Sequence, residues 1–251
     1  GKNGEFIRDF LSDEGVETRR QEIHGNVREN VTILEDSTGR QYRFGMPGPV
    51  FKEQEWRDTL ETVRELSADA DYLVASGSLP LNVPVDFYAR VGRVAAECGT
   101  RFVLDTSNQA LEAASKEGIY LVKPNRRELG HILGRPDSSD LSVEELRDLA
   151  AEIIRELPVH AVALSLGEEG AVLVTGDTTL SVAAPRVETV SKIGAGDSML
   201  AGMVVSLARG SSPEVAVRYG VAAGAAAVRT PGTELCRKED TEELYARIGS
   251  A

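Results

Sequence analysis

Four short apolar runs, Tyr72–Ser76 (YLVAS), Arg101–Asp105 (RFVLD), Ile119–Val122 (IYLV) and Val159–Ser165 (VHAVALS), are separated by amphipathic stretches such as Lys52–Ser67, Val83–Cys98 and Ser142–Glu156. A chain patterned this way has few folds open to it. The runs are apolar on consecutive residues, so both faces of each strand must be covered. The intervening helices supply that cover and also the crossovers that parallel strands require. The expectation is an α/β domain of three layers with a mainly parallel central sheet. After Ser165 the pattern changes to GAVLVT and TLSVAA around GDT, which predicts an antiparallel hairpin at the sheet's edge. Two long helices, roughly Gly196–Ala208 and Pro213–Val228, follow.

One segment departs from this alternation. Arg28–Phe44 (RENVTILEDSTGRQYRF) carries two strand-like runs around DSTGR and predicts a hairpin outside the main sheet. A lid over a site and an edge hairpin without a role both fit it. The 251 residues suit a single domain spanning 1–251, with 28–44 as part of the lid.

No run of eighteen apolar residues is present, and GKNGEFIRDFLSDEG lacks the build of a secretory signal. The cysteines are Cys98 and Cys236, without metal spacing, so a reducing cytoplasm is the expected setting. Acidic residues outnumber basic ones 40 to 28, for a formal charge of −12, which argues against nucleic acid as a partner. A membrane partner is not expected either. A few local cations could still hold a small phosphorylated substrate.

The densest chemistry lies in VSKIGAGDSMLAGMVV, Val190 to Val205. Gly194 and Gly196 let backbone N–H groups converge, and the helix that follows adds its positive end. With Ala195 they form an anion hole suited to a phosphoryl group in transfer. Asp197 in the first turn can take the proton of a substrate hydroxyl, or can simply cap the helix. In LVKPNRRELGHILG (Leu121–Gly134), Pro124 ends a strand and Asn125 is placed to cap the next helix. Glu128, three residues on, fits a capping box or an outer carboxylate orienting the waters of Mg²⁺, with Asp105 placed to help. SLGEEG (Ser165–Gly170) and ASGSLP (Ala75–Pro80) also end strands, where open α/β sheets bind ligands, although either could be an ordinary turn. His24, His131 and His160 show no ligand spacing.

Taken in order, SGSLP, DTSNQAL, KPNRREL, SLGEEG, GAGDSMLAG and GVAAGAAAVRTPGTELC resemble the ribokinase-like carbohydrate kinases over nearly the whole chain. Within them the likeness is to the phosphofructokinase B group, and RFGMPGP and GTELC are most similar to the branch acting on fructose 6-phosphate. The resemblance implies the three-layer ribokinase-like fold with a small β lid, and ATP with Mg²⁺. It makes Asp197 the base and the Gly194–Gly196 turn the stabiliser of the γ-phosphate. Lys123, Asn125, Ser165, Gly167 and Gly170 would lie along ATP, with the region from Val221 to Ala225 near adenine. Glu128 would position Mg²⁺ through water. Arg28 would clamp the sugar's phosphate and Ser78 would touch the sugar. Relatives can also bind a monovalent cation, K⁺, with carbonyls of the GAGD and TPGTE loops, where Lys192 and Glu234 depart from the usual pattern. Lids of this group meet across a dimer, so a homodimer is expected.

The family opens with a strand, a sugar-binding aspartate and a GGxGxN stretch, whereas GKNGEF resembles the segment just after them. The expectation is a kinase domain that is N-terminally incomplete, with this front segment missing from it. The expected reaction is ATP-dependent phosphorylation of fructose 6-phosphate, with fructose 1-phosphate or tagatose 6-phosphate as alternative acceptors. A fragment that binds nucleotide and sugar phosphate without turnover is the alternative of another class.

Overall fold

The computed structural model describes residues 1–35, 37–38, 40–135 and 138–249. In chain order the elements are α1 (Lys2–Asp13), β1 (Asn30–Glu35), β2 (Arg40–Gly45), α2 (Glu53–Ser67), β3 (Tyr72–Ser76), α3 (Phe87–Cys98), β4 (Arg101–Asp105), α4 (Asn108–Ala114), β5 (Ile119–Val122), α5 (Leu129–Ile132), α6 (Val143–Glu156), β6 (Val159–Ser165), β7 (Ala171–Thr175), β8 (Thr179–Val182), α7 (Ala195–Ala208), α8 (Pro213–Ala227) and α9 (Lys238–Ile248). A 3₁₀ turn, Gly167–Glu169, links β6 to β7.

β3 to β8 form one sheet in sequence order. The pairings from β3 through β6 are parallel, and β6–β7 and β7–β8 are antiparallel. This is the mainly parallel sheet with a hairpin edge that the residue pattern predicts. Side-chain alternation divides the interior into two cores. Phe102, Leu104, Val162, Leu164, Val172 and Val174 face the layer of α2 to α6, where they meet Trp56, Leu111 and Leu146. Val103, Ala161, Ala163, Ala171 and Leu173 face α7 and α8, against Met199, Met203 and Val217. Three layers follow directly from strands that are apolar on both faces.

The hairpin β1–β2 is a separate two-stranded antiparallel sheet. The turn residues Asp36 and Gly39 of the expected DSTGR loop lie outside the described residues. Val31 pairs with Phe44 and Ile33 with Tyr42, so these four side chains share one face, and all four are exposed.

Two helix boundaries differ from the sequence expectation. The helix expected from Val83 begins at Phe87, because Pro84 interrupts it and Asn82 has left-handed backbone geometry. The helix expected at Asn125 is a turn that becomes helical only at Leu129 and ends at Ile132.

α7 and α8 approach unusually closely. A Cβ on Gly220 would stand 2.4 Å from Met203 Cγ and 2.7 Å from the Met199 carbonyl oxygen. One on Gly202 would stand 2.8 Å from Ala223 Cβ. Gly220→Ala gains intrinsic helix propensity yet must push the helices apart. We expect a net destabilisation of about 1–3 kcal/mol from this overpacking, measured by urea unfolding. A variant as stable as the parent would show that the seam can relax.

Candidate active site at the strand ends

The C-terminal ends of β3, β4, β5 and β6 share one edge of the sheet, and each carries residues that the sequence singles out. After β3 the chain turns at Gly77, whose φ of 107° favours glycine. The Gly77 N–H donates to the Asp105 carbonyl at 2.9 Å. Its own carbonyl accepts from the Tyr88 hydroxyl at 3.0 Å and the Thr106 hydroxyl at 2.8 Å. The exposed Ser78 is thereby presented beside the end of β4.

Asp105 ends β4 and Lys123 follows β5. Lys123 Nζ lies 3.1 Å from Asp105 Oδ2, with the side chains 7% and 18% exposed. Burial pushes the Asp105 carboxyl above the ordinary carboxylate range. The Lys123 ammonium pulls it back, and the charge of Asp197 adds to the rise. Asp105 and Lys123 thus meet across the ends of two strands, near the start of the helix that carries Asp197.

The next two loops are tied together. Asn125 Oδ1 accepts from the N–H groups of Arg127 and Glu128 at 2.9 and 3.0 Å, while Glu128 Oε2 accepts from the Asn125 N–H at 3.1 Å. This is the reciprocal capping arrangement, and it fixes where the Glu128 carboxylate stands. The Ser165 N–H and hydroxyl both donate to the Pro124 carbonyl, at 2.9 and 3.3 Å. Arg126 pairs with Glu169 at 2.7 Å. Gly167 is exposed on this ledge. Gly170 is buried, and its conformation serves the fold itself: a Cβ there would stand 2.0 Å from the Val182 carbonyl oxygen of β8.

Gly194, at φ 76°, caps α7. Ala195, Gly196 and Asp197 form the first turn, and Gly196 and Asp197 are exposed. A Cβ on Gly196 would stand 3.3 Å from Lys123 Nζ. The ammonium therefore borders the glycine turn, where the helix end already favours an anion. Val221 and Ala225 are buried on α8. Between them Gly224 abuts the turn, its notional Cβ 3.1 Å from the Ala195 carbonyl oxygen. The structure thus gathers Asp105, Lys123, Gly194, Ala195, Gly196 and Asp197, with Asn125, Glu128, Ser165 and Gly167 on the adjoining ledge. Arg28 stands apart, exposed just before β1.

Sequence reasoning missed Gln41 and Ser191. Ser191 is 2% exposed, and its hydroxyl donates to the Gly232 carbonyl at 2.7 Å. The same oxygen accepts from the Ile193 N–H at 3.3 Å and from Gln41 Nε2 at 3.2 Å. The lid strand β2 is thus bonded to the loop that leads into the glycine turn. The available signal for Ser191 was the departure at Lys192 just before IGAGD: Lys192 is exposed, and its neighbour Ser191 turns a hydroxyl inward. Gln41 is one polar residue in an alternating strand and carries no signal of its own. Among the described residues no helix is long and apolar enough to cross a membrane.

The chain as a whole has counterparts among known proteins. The model of the pfkB family of carbohydrate kinases matches residues 1–240. The chain is 38% identical over 249 residues to ATP-dependent 6-phosphofructokinase isozyme 2 of Escherichia coli, covering 99% of this chain and 79% of that protein. It is 30% identical over 248 residues to the 1-phosphofructokinase of Bacillus subtilis, covering 99% of this chain and 78% of that protein. The crystal structure of phosphofructokinase-2 from E. coli in complex with potassium superposes with a TM-score of 0.92 at 37% identity, covering 99% of this chain and 80% of that one. The tetrameric inhibited form of the same enzyme gives 0.91 at 36% identity, covering 99% and 79%. With its strand-end site and its glycine-capped helix start, the chain belongs to the pfkB family of carbohydrate kinases.

Proposed function

We propose that this chain transfers the γ-phosphoryl group of ATP to the 1-hydroxyl of fructose 6-phosphate. The observation that carries the reading is Asp197 in the first turn of α7, directly beside an anion hole that Lys123 borders. Asp197 takes the hydroxyl proton as the O1–Pγ bond forms, and the bond from Pγ to the bridging oxygen breaks, leaving ADP with that electron pair. The N–H groups of the Gly194–Gly196 turn stabilise the charge on the equatorial oxygens. Arg28 at the foot of the lid holds the 6-phosphate, and Ser78 meets the sugar. Asn125, Ser165 and Gly167 line the nucleotide path, which reaches the α8 turn from Val221 to Ala225.

Magnesium fits the donors present. It keeps most of its waters and needs one or two carboxylates, and Glu128 is half-buried with its position fixed by the Asn125 N–H. Bound there through water, it would neutralise charge on the β- and γ-phosphates. Potassium fits the carbonyls of the neighbouring loop. Ser191 fixes the Gly232 carbonyl and Thr230 the Glu234 carbonyl, at 2.7 and 2.8 Å, and each oxygen keeps a second lone pair for a cation. The E. coli relative's complex with potassium supports this assignment.

The apolar face of β1–β2 supports a homodimer. Val31, Ile33, Tyr42 and Phe44 lie on the face opposite the one that carries Gln41, which is bonded to the body of the protein. A second copy of the same face would cover them.

Coupled assays with ATP and each of fructose 6-phosphate, fructose 1-phosphate and tagatose 6-phosphate test the reaction. We expect the highest kcat/KM with fructose 6-phosphate, and a higher value with fructose 1-phosphate would move the chain to the other branch. Asp197→Asn should lower kcat by about 10²–10⁴ with ATP affinity and Tm unchanged, because size and capping ability are kept. Turnover within a few-fold of the parent would leave Asp197 as a helix cap only.

Arg28→Ala should weaken fructose 6-phosphate binding by about 10–100-fold through the loss of charge-assisted hydrogen bonds. ATP binding should not change. Calorimetry separates the two ligands, and an equal loss for unphosphorylated fructose would place Arg28 elsewhere than at the phosphate.

Ile33→Asp should convert the dimer to monomer in sedimentation at micromolar protein, with the melting temperature of the domain body preserved. A parent chain that sediments as a monomer at that concentration ends the dimer proposal.

A further inference from the structure

The Asp105–Lys123 pair has a geometry that an outer metal ligand would not need. Lys123 sits directly after β5, anchored by its N–H to the Leu104 carbonyl of β4 at 3.2 Å. Asp105 is the next residue of β4, and its Oδ2 receives the ammonium at 3.1 Å. Both side chains lie largely out of water, where an unpaired charge would not be tolerated. The second feature is the position of that ammonium. Gly196 is exposed and lies in the first turn of α7, and a single added carbon on it would reach 3.3 Å from Nζ. Glycine at this point leaves the ammonium open to whatever anion the helix end receives. Glu128, the other acid assigned to the metal, stands on the loop beyond Asn125 and is positioned by a different bond.

Building on the phosphoryl-transfer reading above, we infer that Asp105 is a positioning residue. It holds the Lys123 ammonium in the mouth of the glycine turn, so the two act on the nucleotide's terminal phosphate as one unit, and Asp105 takes no place among the waters of the metal. This reassigns Asp105 from the magnesium role that its place at the end of a strand suggested. The lysine has three N–H donors, and the bond to Asp105 uses one of them. The remaining donors are aimed by that bond, and the rigid strand ends fix its direction. A displacement of about 1 Å at such a point can cost on the order of 10²-fold.

The test is calorimetric binding of the non-hydrolysable ATP analogue AMPPNP, with Mg²⁺ and again with EDTA. Asp105→Asn, Lys123→Met and the double substitution are compared with the parent chain. Asp105→Asn should weaken AMPPNP about tenfold or more by the same factor in both conditions, because aim rather than metal is lost. The double variant should bind within about two-fold of Lys123→Met, since residues acting through one contact are not additive. A loss seen only with Mg²⁺, multiplicative losses, or tighter binding by Asp105→Asn would overturn the inference. So would a lowered Tm with unchanged affinity, which is what a purely structural pair would give. If Asp105→Asn does not fold, the comparison of Lys123→Met with the charge-free double variant decides the matter: any further Mg²⁺-dependent loss in the double variant returns Asp105 to the metal. A parent chain that binds AMPPNP but phosphorylates no sugar phosphate would end the proposed reaction and leave this comparison readable.

Discussion

Parallel pairing from β3 through β6 brings four strand ends to one edge of the sheet, and everything at the site depends on that. Residues far apart in sequence become neighbours because consecutive parallel strands all run out in the same direction. Asp105 and Lys123 are the sharpest case. They follow adjacent strands, and the register that pairs Leu104 with Val122 places the next residue of each side by side. The ion pair is then a product of the sheet, as fixed as the ladder that precedes it. Its burial matters too, because removing one partner of such a pair leaves a charge without water or counterion, a penalty of about 3–5 kcal/mol.

The loops that complete the edge are held through their backbone groups, several of which accept from side-chain hydroxyls. Gly77 is locked through its carbonyl and its N–H, Pro124 through two bonds from Ser165, and Gly232 through Ser191. Small residues recur because each loop must let another backbone or a ligand come close. The same residues that read as nucleotide contacts are in part structural. Gly170 shows this most clearly, since β8 occupies the space a side chain would need.

Much of this could be read from residues alone. The bounds of β3, β4, β5 and β6 follow from apolar runs bracketed by turn residues, and the glycine turn before α7 follows from GAGD ahead of a helical pattern. The separate β1–β2 hairpin was legible because two strand-like runs around DSTGR interrupt the strand–helix alternation of the rest of the chain. What could not be read has physical causes. The short α5 looked longer because a capping box at Asn125 and Glu128 is a helix signal, yet here the capped turn is followed by only four helical residues. The Gln41–Ser191 bond joins positions 150 residues apart, and no local pattern encodes it. The two readings of Glu128 were not exclusive, since the capping bond fixes the carboxylate in place for a further use.

The glycine seam between α7 and α8 has a consequence for how the parts of such a site are held. Gly202, Gly220 and Gly224 key α7 to its neighbour from Ala195 to Met203, and Gly224 meets the carbonyl of the very residue that opens it. Close packing of this kind resists sliding and rotation, so the glycine-turn end of α7 is held firmly against α8. The hairpin of β1 and β2 has no such keying; it is exposed along both strands and held to the loop before α7 by the bond from Gln41 to Ser191. Helix and hairpin are therefore held by different means, the helix end by interlocked packing and the hairpin by a side-chain hydrogen bond.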